Sequence, residues 1–429
     1  VVTLAVEKSS VPAPERGSVA LRNLGLRIVA AVLQISATAA VLQVLPPTIA
    51  GVYFKGFVIA YGLAALLRGK YDLFVAQHFV GPRDPTRSNR ELVRGLGVRI
   101  LIRSAIACAI LLVVTADMDV MDVYLRPYLQ TYLPFVLAVP FATLALYLAN
   151  VLRAVNHTLG STLVASYSIN IMILAVACGA TGSAETLLSW LSWAFFAGTV
   201  LAAGMGVLMT RHVFAPAAQS AAIIWPEVYA ASTRNGLTGI ALACLQWGPL
   251  CLLALLGSEI QIAHYAAVTR TANVIDFLIP AAVLVPQSML PQSRLSRDLV
   301  VSLTTTTCCV AIVAVATPWI VDLYGDSYTG LTELFVLLFA TQWLNGAGRP
   351  AIRHLAAHWN LPLIRRILFV SMTGALLASC VGIPAFGAPG AAISVCLGAL
   401  LMNGQAVHAA ITRAYEGMPH GPRSAGPQR

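Results

Sequence analysis

The sequence predicts an all-α integral membrane protein: twelve transmembrane helices in two six-helix lobes, related by a pseudo-twofold axis along the membrane normal. Three observations predict it. Of the 429 residues, 58% are hydrophobic and 10% charged, and the mean hydropathy is +0.79; a soluble domain is about one quarter charged. Apolar runs close to the ~20 residues that cross a hydrocarbon core recur twelve times. The loops between them alternate in charge, as orientation in a bilayer requires.

Taken in order, residues 1–22 are polar and rich in Pro and Ser and read as a disordered cytoplasmic leader. They lack the charged start, short apolar core and cleavage site of a signal peptide. Apolar runs over about 25–45, 50–79, 98–116, 129–149, 160–179 and 186–209 make the first lobe, 23–212. Residues 213–234 read as a cytoplasmic linker. Runs over about 236–256, 262–289, 300–320, 331–348, 366–384 and 390–411 make the second lobe, 235–412. The Pro- and Gly-containing segment 413–429 reads as a cytoplasmic tail.

Loops on the side of the termini carry Arg83, Arg87, Arg90 and Arg94; Arg153; Arg211 and Arg234; Arg294 and Arg297; and Arg349, Arg353, Arg365 and Arg366. Opposite loops carry Asp117, Asp119 and Asp122; Glu185; Glu259; and Asp322, Asp326 and Glu333, with Arg126 their one basic residue. A missed or invented span would scramble this sorting. The positive-inside rule then places both termini in the cytoplasm. The net charge of +10 is spread over loops, which suits anionic headgroups and argues against nucleic acid. All eight cysteines sit in apolar runs without CxxC spacing, as packing residues do.

The two lobes repeat one another. Asp122, Tyr124 and Tyr128 follow the third span as Asp322, Tyr324 and Tyr328 follow the ninth. "GATGSA" (179–184) precedes the sixth span and "GAPGAA" (387–392) the twelfth. Tyr53 and Tyr265 open the second and eighth. Six spans per repeat gives halves of equal orientation, which in transporters places substrate between the lobes.

Several chemistries are missing from the sequence pattern. The first outer loop, "VLPPTIAG", holds no acid, and every outer loop is short, against a membrane glycosyltransferase or glycan polymerase. "HLAAH" has metal spacing but lacks the glutamate of a zinc hydrolase and lies in a basic loop. No phosphate-binding lysine loop is present.

Three stretches carry a family resemblance: "IQIAHYAAVTRTANVIDFLIPAAVLVPQSMLPQSRLS", "IVDLYGDSYTG" and "VGIPAFGAPGAAISVCLGALLMN". A fourth, "LRGKYDLFVAQ", joins them. Together they resemble polysaccharide, or O-antigen-type, flippases of the multidrug/oligosaccharidyl-lipid/polysaccharide (MOP) exporter superfamily. The resemblance implies a non-enzymatic transporter, monomeric, whose cargo is an undecaprenyl-pyrophosphate-linked oligosaccharide. The implied partners are membrane lipids and polysaccharide polymerase or assembly proteins. It implies no cofactor and leaves a coupling ion open. Asp72 is the one carboxylate in the first lobe's membrane region, which sets the chain apart from cation-coupled drug exporters. A peptidoglycan-precursor flippase and a multidrug exporter remain the alternatives within the superfamily.

A pyrophosphate cannot cross hydrocarbon bare, so its path needs Lys or Arg. Arg270 lies deep in the eighth span. Asp276 lies six residues on, nearer the midplane and about 120° away around the helix, with Asn273 between. Lys55 sits one turn into the second span. Arg68, Lys70 and Asp72 sit near that span's cytoplasmic end, where Arg68 and Asp72 share a face and Lys70 stays free. Gln34, Gln43, Asn170, Gln246, Asn273, Gln342 and Asn345 are candidates for a sugar path, with Trp247, Trp343 and Tyr167 for ring stacking. Interhelical packing explains most of these equally well.

Overall fold

The computed structural model describes residues 13–80, 89–117, 126–155, 157–214, 225–288, 295–357 and 361–416. Backbone polar groups in lipid must be satisfied within the segment, so an apolar span becomes a helix. Twelve long helices result among the described residues, in the predicted order. The first six are α1 (Ala13–Val44), α2 (Pro47–Val80), α3 (Asn89–Asp117), α4 (Arg126–Ala154), α5 (Thr158–Gly179) and α6 (Ala184–Val213). The second six are α7 (Trp225–Leu256), α8 (Glu259–Ser288), α9 (Leu295–Tyr324), α10 (Thr332–Ala357), α11 (Leu361–Phe386) and α12 (Ala388–Glu416). Helix α1 already begins inside the expected leader 1–22, and α7 inside the expected linker 213–234.

Ten of the twelve are long and apolar enough to cross a membrane, so this is a multi-pass membrane protein. The other two, α8 and α10, are the helices that carry Arg270, Asp276, Gln342, Asn345 and Arg349. On α3, the exposed stripe Ile102, Ile106, Ile110 and Val113 would be an aggregation surface in water and is a lipid-facing one here. Helix α5 contains a π turn, Leu163–Tyr167, after which the Ser168 hydroxyl donates to the Leu163 carbonyl at 3.0 Å.

Packing repeats with a period of six helices. Helix α4 packs on α2, α3 and α6 as α10 packs on α8, α9 and α12; α5 packs on α1 and α6 as α11 packs on α7 and α12. The turns before α6 and α12 each hold a glycine with positive φ, Gly182 and Gly387. Tyr53 and Tyr265 are both buried. Of the Asp-x-Tyr pair, Tyr324 and Tyr328 are buried, while Asp122, Tyr124 and Tyr128 lie outside the residues whose side chains are described.

The lobes meet through two symmetric contacts, α1 on α8 and α2 on α7, and through α2 on α8 at the pseudo-axis. We call the bundle end where α1 begins and α12 ends the termini face, and the other the far face. Near the far face Gly51 lies directly on the Glu259 backbone, and no side chain fits between them. Tyr61 of α2 stacks on Trp247 of α7 across the same seam, with centroids 5.7 Å apart and planes 13° apart.

Candidate functional site between the lobes

Arg270 is carried on the face of α8 that meets the first lobe. Its backbone carbonyl accepts from Gln34 Nε2 of α1 at 3.0 Å, which pins α8 to α1 at this level. Its guanidinium donates to Thr38 Oγ1 of α1 at 3.5 Å and lies 4.2 Å from the Phe57 ring centroid and 5.7 Å from that of Phe54. The titratable groups acting on it are Tyr53, Tyr61 and Tyr324. Tyr324 is held beside it by a 2.8 Å hydrogen bond to Thr271. Among the described residues no carboxylate pairs with Arg270.

Counted from Glu259, Arg270 is about 17 Å along α8 and Asp276 about 26 Å. Against a hydrocarbon core of ~30 Å, Arg270 is the residue near mid-depth and Asp276 lies toward the termini face. The sequence had placed Asp276 nearer the midplane. An arginine at the centre of a membrane helix costs about 2.5–3.5 kcal/mol on insertion scales. Desolvated cation–π contact returns about 2.

A second charged layer lies toward the termini face. Asp276 pairs with Arg349 of α10. Arg27 of α1 donates to the Phe277 carbonyl of α8 at 3.1 Å and lies within electrostatic reach of Arg153, Arg349 and Asp276. Arg27 lies about 26 Å from the far-face end of α1, and Arg349 about 26 Å from that of α10, level with Asp276. Among the described residues, three guanidiniums and one carboxylate make up this layer.

The other predicted residues divide. Asn273 accepts from Gln342 of α10 at 3.1 Å, inside the second lobe. Lys55 is half-buried one turn from Gly51, on the α2 face turned to the seam. Arg68 is also half-buried, within reach of Tyr61. The side chains of Lys70 and Asp72, and so the expected Arg68–Asp72 pair, lie outside the described ones. Between them Tyr71 is buried against α3 with Leu92, Val93 and Leu96, which anchors this end of α2.

Gln43 caps the Leu323 carbonyl at 2.8 Å, Asn170 binds Ser166 within its own helix, and Tyr167 donates to the Leu26 carbonyl at 2.6 Å. Trp343 donates to Thr307 at 3.0 Å on the outer surface. These are packing roles. Arg349 and Arg353, assigned by sequence to a loop, are inside α10 and line an internal cavity. Sequence reasoning missed Arg27 and Asn403; each is a polar residue in an apolar run, and that is the signal that could have marked it.

No sequence-family profile matches the chain, and no curated protein does. Solved structures match over nearly its whole length. It resembles the lipid II flippase MurJ in an inward closed conformation with a TM-score of 0.63 at 10% identity, covering 91% of this chain and 87% of that one. It resembles an MOP superfamily transporter from Pyrococcus furiosus with a TM-score of 0.55 at 12% identity, covering 96% and 98%. It resembles an outward-facing multidrug MATE transporter of the MOP superfamily with a TM-score of 0.51 at 12% identity, covering 97% and 98%. The fold is that of the MOP-superfamily transporters.

Proposed function

We propose that the chain is a flippase that moves an undecaprenyl-pyrophosphate-linked oligosaccharide from the cytoplasmic to the outer leaflet of a bacterial inner membrane. The termini face is then cytoplasmic, as the positive-inside rule requires, and the cargo serves surface polysaccharide assembly. The observation that carries this reading is Arg270: a guanidinium near mid-depth, on the seam between two lobes, without a carboxylate partner among the described residues.

The mechanism follows from charge. The pyrophosphate meets the charged layer of Arg27, Arg153 and Arg349 first, then exchanges onto Arg270, whose planar fork matches phosphate oxygens. Phe57 and Phe54 hold the guanidinium in place without neutralising it. Rocking of the two lobes about the seam exposes the site to one face at a time, while the lipid tail stays in the bilayer.

The test is binding of undecaprenyl pyrophosphate, against uncharged undecaprenol, by the full chain in lipid nanodiscs. A charge-assisted hydrogen bond is worth about 1.5–3 kcal/mol, so Arg270→Gln should weaken pyrophosphate binding about 10- to 150-fold and leave undecaprenol unchanged. Arg270→Lys should retain part of the affinity. Equal affinity of Arg270→Gln and wild type for the pyrophosphate would refute the reading. A peptidoglycan lipid precursor shares this anion chemistry, and comparison of glycan heads separates the two cargoes.

A further inference from the structure

The second lobe holds a partly open cavity. It measures about 240 Å³ and lies between α7, α8, α10, α11 and α12, inside one lobe rather than on the seam. Its polar lining holds five neutral carboxamides, Gln246, Asn273, Gln342, Asn345 and Asn403, with Asp276, Arg349 and Arg353 toward the termini face. They are chained in part. Gln342 donates to Asn273 at 3.1 Å, and Asn403 donates to Asn345 at 3.1 Å and to the Ala399 carbonyl at 2.8 Å. The Asn403 Oδ1 is buried without a donor on the side of Gly348, so the amide edge turned to the chamber is its Nδ2 side. Its side chain is fixed against the Gly348 backbone, where an added Cβ would overlap it.

We infer that this chamber is a saccharide subsite, taking one uncharged sugar ring of the cargo's head group. The inference rests on the flippase reading and names where the sugar goes. A carboxamide both donates and accepts, as a sugar hydroxyl does, so an amide-lined wall recognises a polyol without demanding charge. A metal or coupling cation is a poorer fit. The chamber's one lining carboxylate, Asp276, is paired with Arg349, and no group of three His, Cys, Asp or Glu gathers among the described residues. A lipid tail would leave five amides facing hydrocarbon.

Size and position agree with one ring. The volume falls just below the ~300–1,000 Å³ of sites for drug-sized ligands, so the chamber takes one ring and not a whole oligosaccharide. Asn273 is one helical turn from Arg270, about 5–6 Å between side-chain origins. A sugar attached directly to a pyrophosphate held at Arg270 is then about one helical turn from the chamber's lining. Trp247, stacked on Tyr61 of the first lobe, forms the wall between chamber and seam.

The test uses full-length protein in nanodiscs and five probes: undecaprenyl pyrophosphate alone, and the same lipid bearing one glucose, galactose, N-acetylglucosamine or N-acetylgalactosamine. At least one sugar-bearing lipid should bind about tenfold tighter than the bare lipid. Asn403→Leu and Gln342→Leu, two separate apolar replacements of similar volume, should each abolish that increment and leave bare-lipid affinity within about twofold. The proposal is overturned if no sugar adds affinity in the wild type, if the increment survives both substitutions, or if both weaken the bare lipid equally. Failure of the bare lipid to bind the wild type would instead bring down the flippase reading, and the chamber with it.

Discussion

Gly51 offers a direct perturbation of the lobe seam. An added Cβ there would overlap the Glu259 carbonyl, which is backbone and cannot rotate away, so α2 and α8 must separate at the far face. Overpacking of this kind costs about 1–3 kcal/mol. If the cost falls on the far-face-closed state alone, the population of far-face-open molecules rises about 5- to 150-fold. Ala263, one turn from Glu259 on α8, is fully buried in the closed arrangement. In a cysteine-free background, Ala263→Cys should react with a membrane-impermeant maleimide from the far side at a rate set by that population. Gly51→Ala should raise the rate toward the lower bound and Gly51→Val further. A rate unchanged by either substitution, in protein that remains monodisperse, would show that the Gly51 contact does not close the far face.

Two further predictions concern polar pairs inside the bundle. Thr271→Val or Tyr324→Phe removes the buried 2.8 Å hydrogen bond and should lower thermal stability by about 1 kcal/mol, with the double variant little worse than either single one. Arg349→Met or Asp276→Asn removes one charge of a partly buried pair. Because the Asp276 side chain is 36% exposed, the loss should fall nearer the surface range of about 1 kcal/mol than the 3–5 of a fully buried pair. A double-mutant cycle on unfolding midpoints gives the coupling, and a coupling near zero would mean that the pair is not maintained.

The sequence made the helix order and the repeat legible because both depend on local composition: apolar length sets a span, and alternating loop charge sets its direction. Arg270 was legible for the same reason, as a charge where hydrocarbon should be. Its setting was not. Thr38 and Phe57 come from helices more than 200 residues away, and a span list does not say which helix faces meet. Arg349 was taken for a loop residue because apolarity fades near Asn345, although α10 continues to Ala357. The seven polar residues considered for a sugar path were alike in sequence. Packing separates them: Gln246, Asn273, Gln342 and Asn345 gather with Asn403 in one chamber, whereas Gln34, Gln43 and Asn170 tie helices together.

The central claim is that this chain carries a lipid-linked anionic head group across a bilayer by way of Arg270. The most direct measurement is the flipping of a fluorescent undecaprenyl-pyrophosphate-linked saccharide in reconstituted vesicles, read by quencher access to the outer leaflet. Wild-type protein should bring lipid added on one leaflet to the other faster than empty vesicles, and Arg270→Gln at equal reconstitution should fall to the empty-vesicle rate. Equal rates for wild type and Arg270→Gln, or no rate above empty vesicles with either, would contradict the account.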